Sequence, residues 1–257
     1  MELSKIHLAE VKSTNSWLLE ALASSEKTLP EGTVVYTKRQ TAGRGQVGNS
    51  WESEQDKNIS FSILLRPVFL PIPQQFVLSE LCSVAILLGL EELGVKNLTV
   101  KWPNDIYAGD EKICGILIEN RLMGGALTES VLGVGINVNQ EKWIGNAPNP
   151  TSLILQGVSS TPEIVLDVVC RYFAKLYDVL KNENEGASSI HQAFVEHLYR
   201  RRGFYSYVDA QSGEPFEAEI INIDPQGPMS LRLLDGSERK YWFKEVKFVL
   251  PCGVVKE

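Results

Sequence analysis

The chain has 257 residues, 44% of them hydrophobic and 22% charged, with a formal net charge of −7. That composition supports a substantial core without covalent staples, and nothing in the charge attracts nucleic acid or an anionic membrane. Four scattered cysteines, Cys82, Cys114, Cys170 and Cys252, form no CxxC pair, which argues against a disulfide framework or structural zinc and fits a reducing compartment.

The opening "MELSKIHLAEVKSTNS" lacks a basic-then-apolar leader, and the longest apolar run, Val84 to Leu90, is too short to span a bilayer. A cytoplasmic protein with no membrane partner is expected. "KSTNSWLLEALASS" begins with hydroxyl residues suited to a helix N-terminus and continues with Trp17, Leu18, Ala21 and Leu22 at helical spacing. Thr33 to Lys38 and Asn58 to Arg66 are rich in β-branched and aromatic residues and predict strands. Pro71 to Gly94 predicts a long helix stopped by its glycine. Leu98 to Asn120 predicts a hairpin turning near Gly109, and "ESVLGVGINVN" adds a strand. Helices are predicted from about Thr161 to Lys181 and from Ser188 to Leu198.

From Tyr205 to Val249 short alternating runs are separated by "QSGE", "DPQGP" and "LDGS", which predicts a small five-stranded β-barrel. The domain division is expected near residue 203, giving 1–203 and 204–257. Strands and helices of the first part mix without strict βαβ alternation, so the fold class is α+β.

"TAGRGQVGNSW", Thr41 to Trp51, invites three readings. Gly43, Gly45 and Gly48 match a dinucleotide fingerprint, but that motif opens a helix, whereas loop and strand follow here. The same glycines approach Walker A spacing, yet Asn49 stands where the phosphate-binding lysine belongs. A plain hairpin turn is the third. "KWPND", Lys101 to Asp105, adds a stiff bend presenting Asn104 and Asp105, since Pro103 fixes its own φ and biases Trp102 away from helix. Lys112 begins "KICGILIE", and glycines interrupt that run and "GVGIN", as where a ligand lies against a strand. Taken singly, these are also what ordinary turns and solvated lysines look like.

In combination they resemble the biotin–protein ligases. "STN" (Ser13 to Asn15), "QTAGRGQVGNSW", "KWPND", "KICGILIE" and "GVGIN" occur in that family's order. The resemblance implies a mixed-sheet catalytic domain of the biotin/lipoate ligase type with an SH3-like C-terminal barrel. It implies that Ser13, Thr14, Asn15, Gln40 and Gly115 surround the ureido head of biotin, with Gly45 and Gln46 in the covering loop. Arg44 and Lys112 become the catalytic cations, offsetting repulsion between the biotin carboxylate and the α-phosphate of ATP. Trp51, Asn104 and Asn137 belong to the nucleotide end. Asp105 either helps hold Mg²⁺ or orients the adenylate.

The implied reaction makes biotinyl-5′-AMP from biotin and Mg²⁺–ATP, then biotinylates a lysine of a biotin carboxyl carrier domain. Relatives commonly form homodimers, which these residues do not decide. A lipoate or octanoate transferase and a non-catalytic biotin sensor are the alternatives. Two departures stand out. Gln46 and Val47 replace arginines common in the glycine loop, which predicts a weaker hold on the adenylate. Only 12 residues precede Ser13, so a helix-turn-helix domain and DNA binding are not expected.

Overall fold

The computed structural model describes residues 1–24, 29–46, 49–145 and 149–251, and the backbone of 255–256. Val47, Gly48 and Cys252 lie outside the described residues. A seven-stranded sheet is built from β1 (Ser4–His7), β2 (Thr33–Thr37), β5 (Ile59–Leu65), β6 (Leu98–Lys101), β7 (Asp105–Ala108), β8 (Glu111–Met123) and β9 (Ala126–Ile136). Their order is β1-β2-β5-β9-β8-β7-β6. Only β1 and β2 run parallel, so the sheet is mixed, as expected. β3 (Gly43–Arg44) and β4 (Ser50–Trp51) form a separate two-stranded ribbon within the glycine loop.

Period-two alternation gives the sheet two different faces. Ile59, Phe61, Ile63 and Leu65 of β5, with Leu132, Val134 and Ile136 of β9, enter the main core. That core is covered by α2 (Val77–Glu92), α3 (Pro162–Asn182) and α4 (Gly186–Glu196). α2 is buried on nearly every side, between the sheet and the other two helices. This explains why 72–92 is long and apolar enough to pass for a membrane span by composition alone. It stops as predicted: Gly94 takes φ +101°, and the Val95 amide returns to the Leu90 carbonyl at 3.0 Å. α3 is capped by the Thr161 side chain with Pro162 in its first turn, and buries Val165, Leu166, Val169, Phe173, Tyr177 and Leu180 at helical spacing. α1 (Thr14–Ala23) covers part of the other face, where Leu18 packs with Val35, Leu64 and Val131.

The C-terminal strands are β10 (Tyr205–Asp209), β11 (Pro215–Ile223), β12 (Met229–Leu233), β13 (Glu238–Tyr241), β14 (Val246–Val249) and β15 (Val255–Lys256). They form an antiparallel sheet in the order β13-β12-β11-β10-β14-β15. Among the described residues no ladder joins β13 to β14 or β15, so in its hydrogen bonding the expected barrel is an open sheet. Its apolar face continues the main core through Tyr207, Ile220, Leu231 and Phe248. Trp102 reaches across to it, donating from Nε1 to the Gly227 carbonyl at 2.8 Å.

Candidate active site

Opposite the main core, the centre of the large sheet is lined by small and polar residues. Ser62 is in register with Gly133, Ser60 with Gly135, and Gly115 with Gly135. Two side chains descend into this hollow. An ideal Cβ on Gly133 would lie 2.2 Å from Asn15 Oδ1, and one on Gly135 would lie 2.4 Å from Trp51 Nε1. Glycine is therefore a packing requirement at both positions. The hollow opens into a cavity of about 570 Å³. Gly135→Val is expected to expel the Trp51 indole, seen as a red shift of the emission that a Trp51→Phe control lacks.

One end of the cavity is built by the start of α1. Ser13 caps the helix, its hydroxyl accepting from the Ser16 amide at 3.4 Å. The segment before it is strapped to the chain after β2, with Thr41 N donating to Val11 O at 2.9 Å. This sets Gln40 against Thr14: Gln40 Oε1 accepts from the Thr14 amide at 3.0 Å. Ser62 Oγ donates to Asn15 Oδ1 at 2.5 Å and accepts from the Thr14 hydroxyl at 2.7 Å. The Asn15 amide nitrogen donates to Leu117 O at 3.1 Å and to Glu119 Oε2 at 2.9 Å. Asn15 thus spends its polar group on three strand residues, while Ser13, Thr14 and Gln40 border the cavity beside it.

The middle belongs to Lys112. Its backbone is fixed on both sides, to Asn149 O at 2.8 Å and from Thr151 N at 2.9 Å. Its Nζ pairs with Asp105 Oδ1 at 2.6 Å and stands 5.7 Å from the Trp51 ring centroid. Asp105 arrives through the bend after Trp102, whose bond to Pro103 is cis. Asn104 Nδ2 is bonded to the Ile116 carbonyl. Asn137 follows the end of β9, four positions on from Gly133, about 13 Å along an extended strand. Asn137 Nδ2 donates to Thr151 O at 2.9 Å, but its Oδ1 is buried without a partner, as is Trp51 Nε1. Buried polar atoms left unpaired in a cavity wall call for a ligand or water to satisfy them.

All thirteen residues expected to form the site line this one cavity. Arg44 and Lys112 are not a contacting pair, however. Arg44 turns to Glu119, with Nη2 to Oε1 at 2.8 Å and Nη1 to Oε2 at 3.2 Å, so each cation has its own carboxylate. The glycines of "GVGIN", Gly133 and Gly135, stand in the wall as their place in a strand suggested, but sequence reasoning missed Ser62 and Glu119 and gave no role to Lys101 or to Phe243 and Lys244 of the C-terminal sheet, the last three of which also line the cavity. Lys101 is buried at 5% exposure, with its Nζ 4.7 Å from the Phe248 centroid and no ion-pair partner among the described residues. Burial pulls its pKa down to about 8, against the raising influence of Asp105.

A model of the Biotin/lipoate A/B protein ligase family matches residues 8–137. The chain belongs to that family. Over 130 residues this ligase-family chain is 36% identical to the bifunctional ligase/repressor BirA of Bacillus subtilis, a match covering 48% of this chain and 40% of the relative. The chain therefore matches less than half the length of that relative. The biotin–[acetyl-CoA-carboxylase] ligase of Mycobacterium tuberculosis is 35% identical over 156 residues, covering 60% of this chain and 56% of its own. The enzyme of the same name from Paracoccus denitrificans is 29% identical over 236 residues, covering 88% and 92%. In three dimensions the chain resembles the biotin protein ligase of Aquifex aeolicus solved with biotin and ATP, with a TM-score of 0.74 at 22% identity over 95% of this chain and 97% of that one. At that identity the likeness is one of fold.

Proposed function

We propose that the protein activates biotin with ATP, giving biotinyl-5′-AMP and pyrophosphate, and then transfers the biotinyl group to a lysine of a biotin carboxyl carrier domain. The observation that carries this reading is the order of groups along the cavity. Hydroxyls and an amide stand at one end, Lys112 in the middle, and the unpaired Asn137 Oδ1 just past the end of β9.

In this reading Ser13, Thr14 and Gln40 meet the N–H donors and carbonyl of the ureido head, and Asn15 holds their wall together. The Lys112 ammonium, steadied by Asp105, offsets charge as a biotin carboxylate oxygen attacks the α-phosphorus and pyrophosphate leaves. Lys101 supplies a further positive charge toward the phosphates. Asn137 Oδ1 is an acceptor suited to the adenine amino group, and Trp51 offers its ring and free N–H at the same end. Among the described residues no three acidic, histidine or cysteine side chains cluster as a metal cage, and Asp105 is engaged by Lys112. Mg²⁺ therefore fits here as a companion of the ATP phosphates, carried in with the substrate. In the second step the acceptor amine attacks the acyl carbonyl, the C–N bond forms and AMP leaves. The mixed anhydride is a good acyl donor, so positioning supplies much of the rate. We assign residues 1–203 this chemistry and 204–257 the closing of its nucleotide end, through Phe243 and Lys244.

The test is biotin-dependent exchange of labelled pyrophosphate into ATP, with lipoate in a parallel reaction. Exchange with biotin alone supports the reading, and exchange with lipoate alone moves the protein to the other branch of its family. Gln46→Arg is expected to slow release of biotinyl-5′-AMP by about ten-fold, the worth of one charge-assisted hydrogen bond. Filter retention of labelled adenylate over time checks it, and equal release rates would reject the idea.

A further inference from the structure

We infer that Glu119, which does not line the cavity, is a positioning residue that holds the Arg44 guanidinium in the cavity wall from behind. The inference rests on the proposed ligase reading for what Arg44 serves, but not for the geometry. Glu119 lies on β8 beyond Leu117, on the face that carries Gly115, and its carboxylate takes both terminal nitrogens of Arg44. Ser16 Oγ accepts a further bond from Arg44 Nη1 at 3.3 Å. Neither Glu119 nor Ser16 lines the cavity, whereas Arg44 does.

A guanidinium presents five N–H groups in a planar fork. Glu119 and Ser16 occupy the end formed by Nη1 and the inner hydrogen of Nη2. The other edge, Nε with the outer hydrogen of Nη2, has no partner among the described residues and is the bidentate face for a carboxylate or phosphate. Glu119 is itself held, since Asn15 Nδ2 donates to its Oε2, and Asn15 is braced by Ser62 and by the missing Cβ of Gly133. Arg44 sits on a two-residue strand in a loop that leaves the large sheet, so its own backbone offers little to fix the side chain. The chain Ser62–Asn15–Glu119–Arg44 ties that loop to three elements of the rigid sheet and helix, and aims the cation before an anionic ligand arrives.

A double-mutant cycle tests this. In biotin-dependent pyrophosphate exchange, Glu119→Gln is expected to lower kcat/KM for biotin at least ten-fold, with Glu119→Asp intermediate. In the Arg44→Ala background, Glu119→Gln is expected to change the rate by less than three-fold, because a residue acting through Arg44 has nothing left to position. Effects that multiply, or a Glu119→Gln single variant within two-fold of wild type, would overturn the inference. Tryptic cleavage after Arg44 in the unliganded protein gives a readout independent of activity. Glu119→Gln is expected to speed it at least five-fold at unchanged melting temperature, and an unchanged rate would overturn the inference. If the wild-type protein shows no exchange, the ligase reading fails, and the cleavage result alone decides the positioning of Arg44.

Discussion

Replacing Lys112 by alanine is expected to lower adenylate formation by about 10²–10³-fold, the usual cost of removing one preorganised charge-stabilising donor. The chain around it is held by its backbone, through Asn149 O and Thr151 N, so truncating the side chain leaves the strand in place. What goes is the ammonium group 2.6 Å from Asp105, beside the bare backbone of Gly115. Because the pair is partly exposed, its loss is expected to cost at most about 1 kcal/mol of stability. Lys112→Arg keeps the charge but changes reach and shape, and is expected to recover only part of the rate. Pyrophosphate exchange, with a melting curve for each variant, separates these effects. Loss of less than five-fold for Lys112→Ala would remove the lysine from the chemistry.

Lys101→Met is expected to make the protein more stable and less active. Burial holds the Lys101 pKa near 8, against 10.5 for a free lysine, so the folded protein carries a penalty of about 3 kcal/mol wherever both folded and unfolded chains are protonated. The sign follows from the depressed cationic group. Below pH 8 both forms bind the proton and the penalty is in full force. Between pH 8 and 10.5 the unfolded chain still binds it while the folded one does not, so wild-type stability recovers as pH rises through that window. The methionine variant lacks the group. Its advantage in urea denaturation is therefore expected to be about 3 kcal/mol at pH 7 and to shrink toward zero above pH 10.5. Groups that titrate in both chains cancel in the difference. The same substitution removes a positive charge from the cavity wall, and kcat/KM for ATP is expected to fall at least ten-fold. A variant with full activity would mean that Lys101 serves packing on Phe248 alone.

Local signals carried much of this molecule. The Thr161–Pro162 cap and the Gly94 stop mark helix ends by side-chain and backbone chemistry that acts within a few residues. Gly109 turns the β7–β8 hairpin with φ +59°, as its sequence context predicts. The motif residues could be collected because each is embedded in a short pattern of glycine, amide and charge. β1 was not legible: Ser4–His7 is a largely exposed edge strand, and only its parallel pairing with β2, 29 positions away, makes it a strand. Glu119 and Ser62 were missed for a related reason. A serine or glutamate within a strand has no local meaning until register shows that it shares a face with Gly133 or Gly115. The separation of Arg44 from Lys112 is likewise tertiary, since it depends on which carboxylate each side chain finds. Lys101 stood inside a motif already noticed, but its burial against Phe248 required the C-terminal sheet to fold onto it.

Transfer of biotin to a protein lysine is read out by intact-mass spectrometry of an apo biotin carboxyl carrier domain. The domain is incubated with the protein, biotin, ATP and Mg²⁺, with lipoate replacing biotin in a second reaction and Lys112→Ala replacing the wild type in a third. A gain of one biotinyl group is expected in the first reaction, none in the second, and little in the third over the same time. No gain from a carrier shown to be competent with another ligase, or a gain only with lipoate, would contradict biotin transfer.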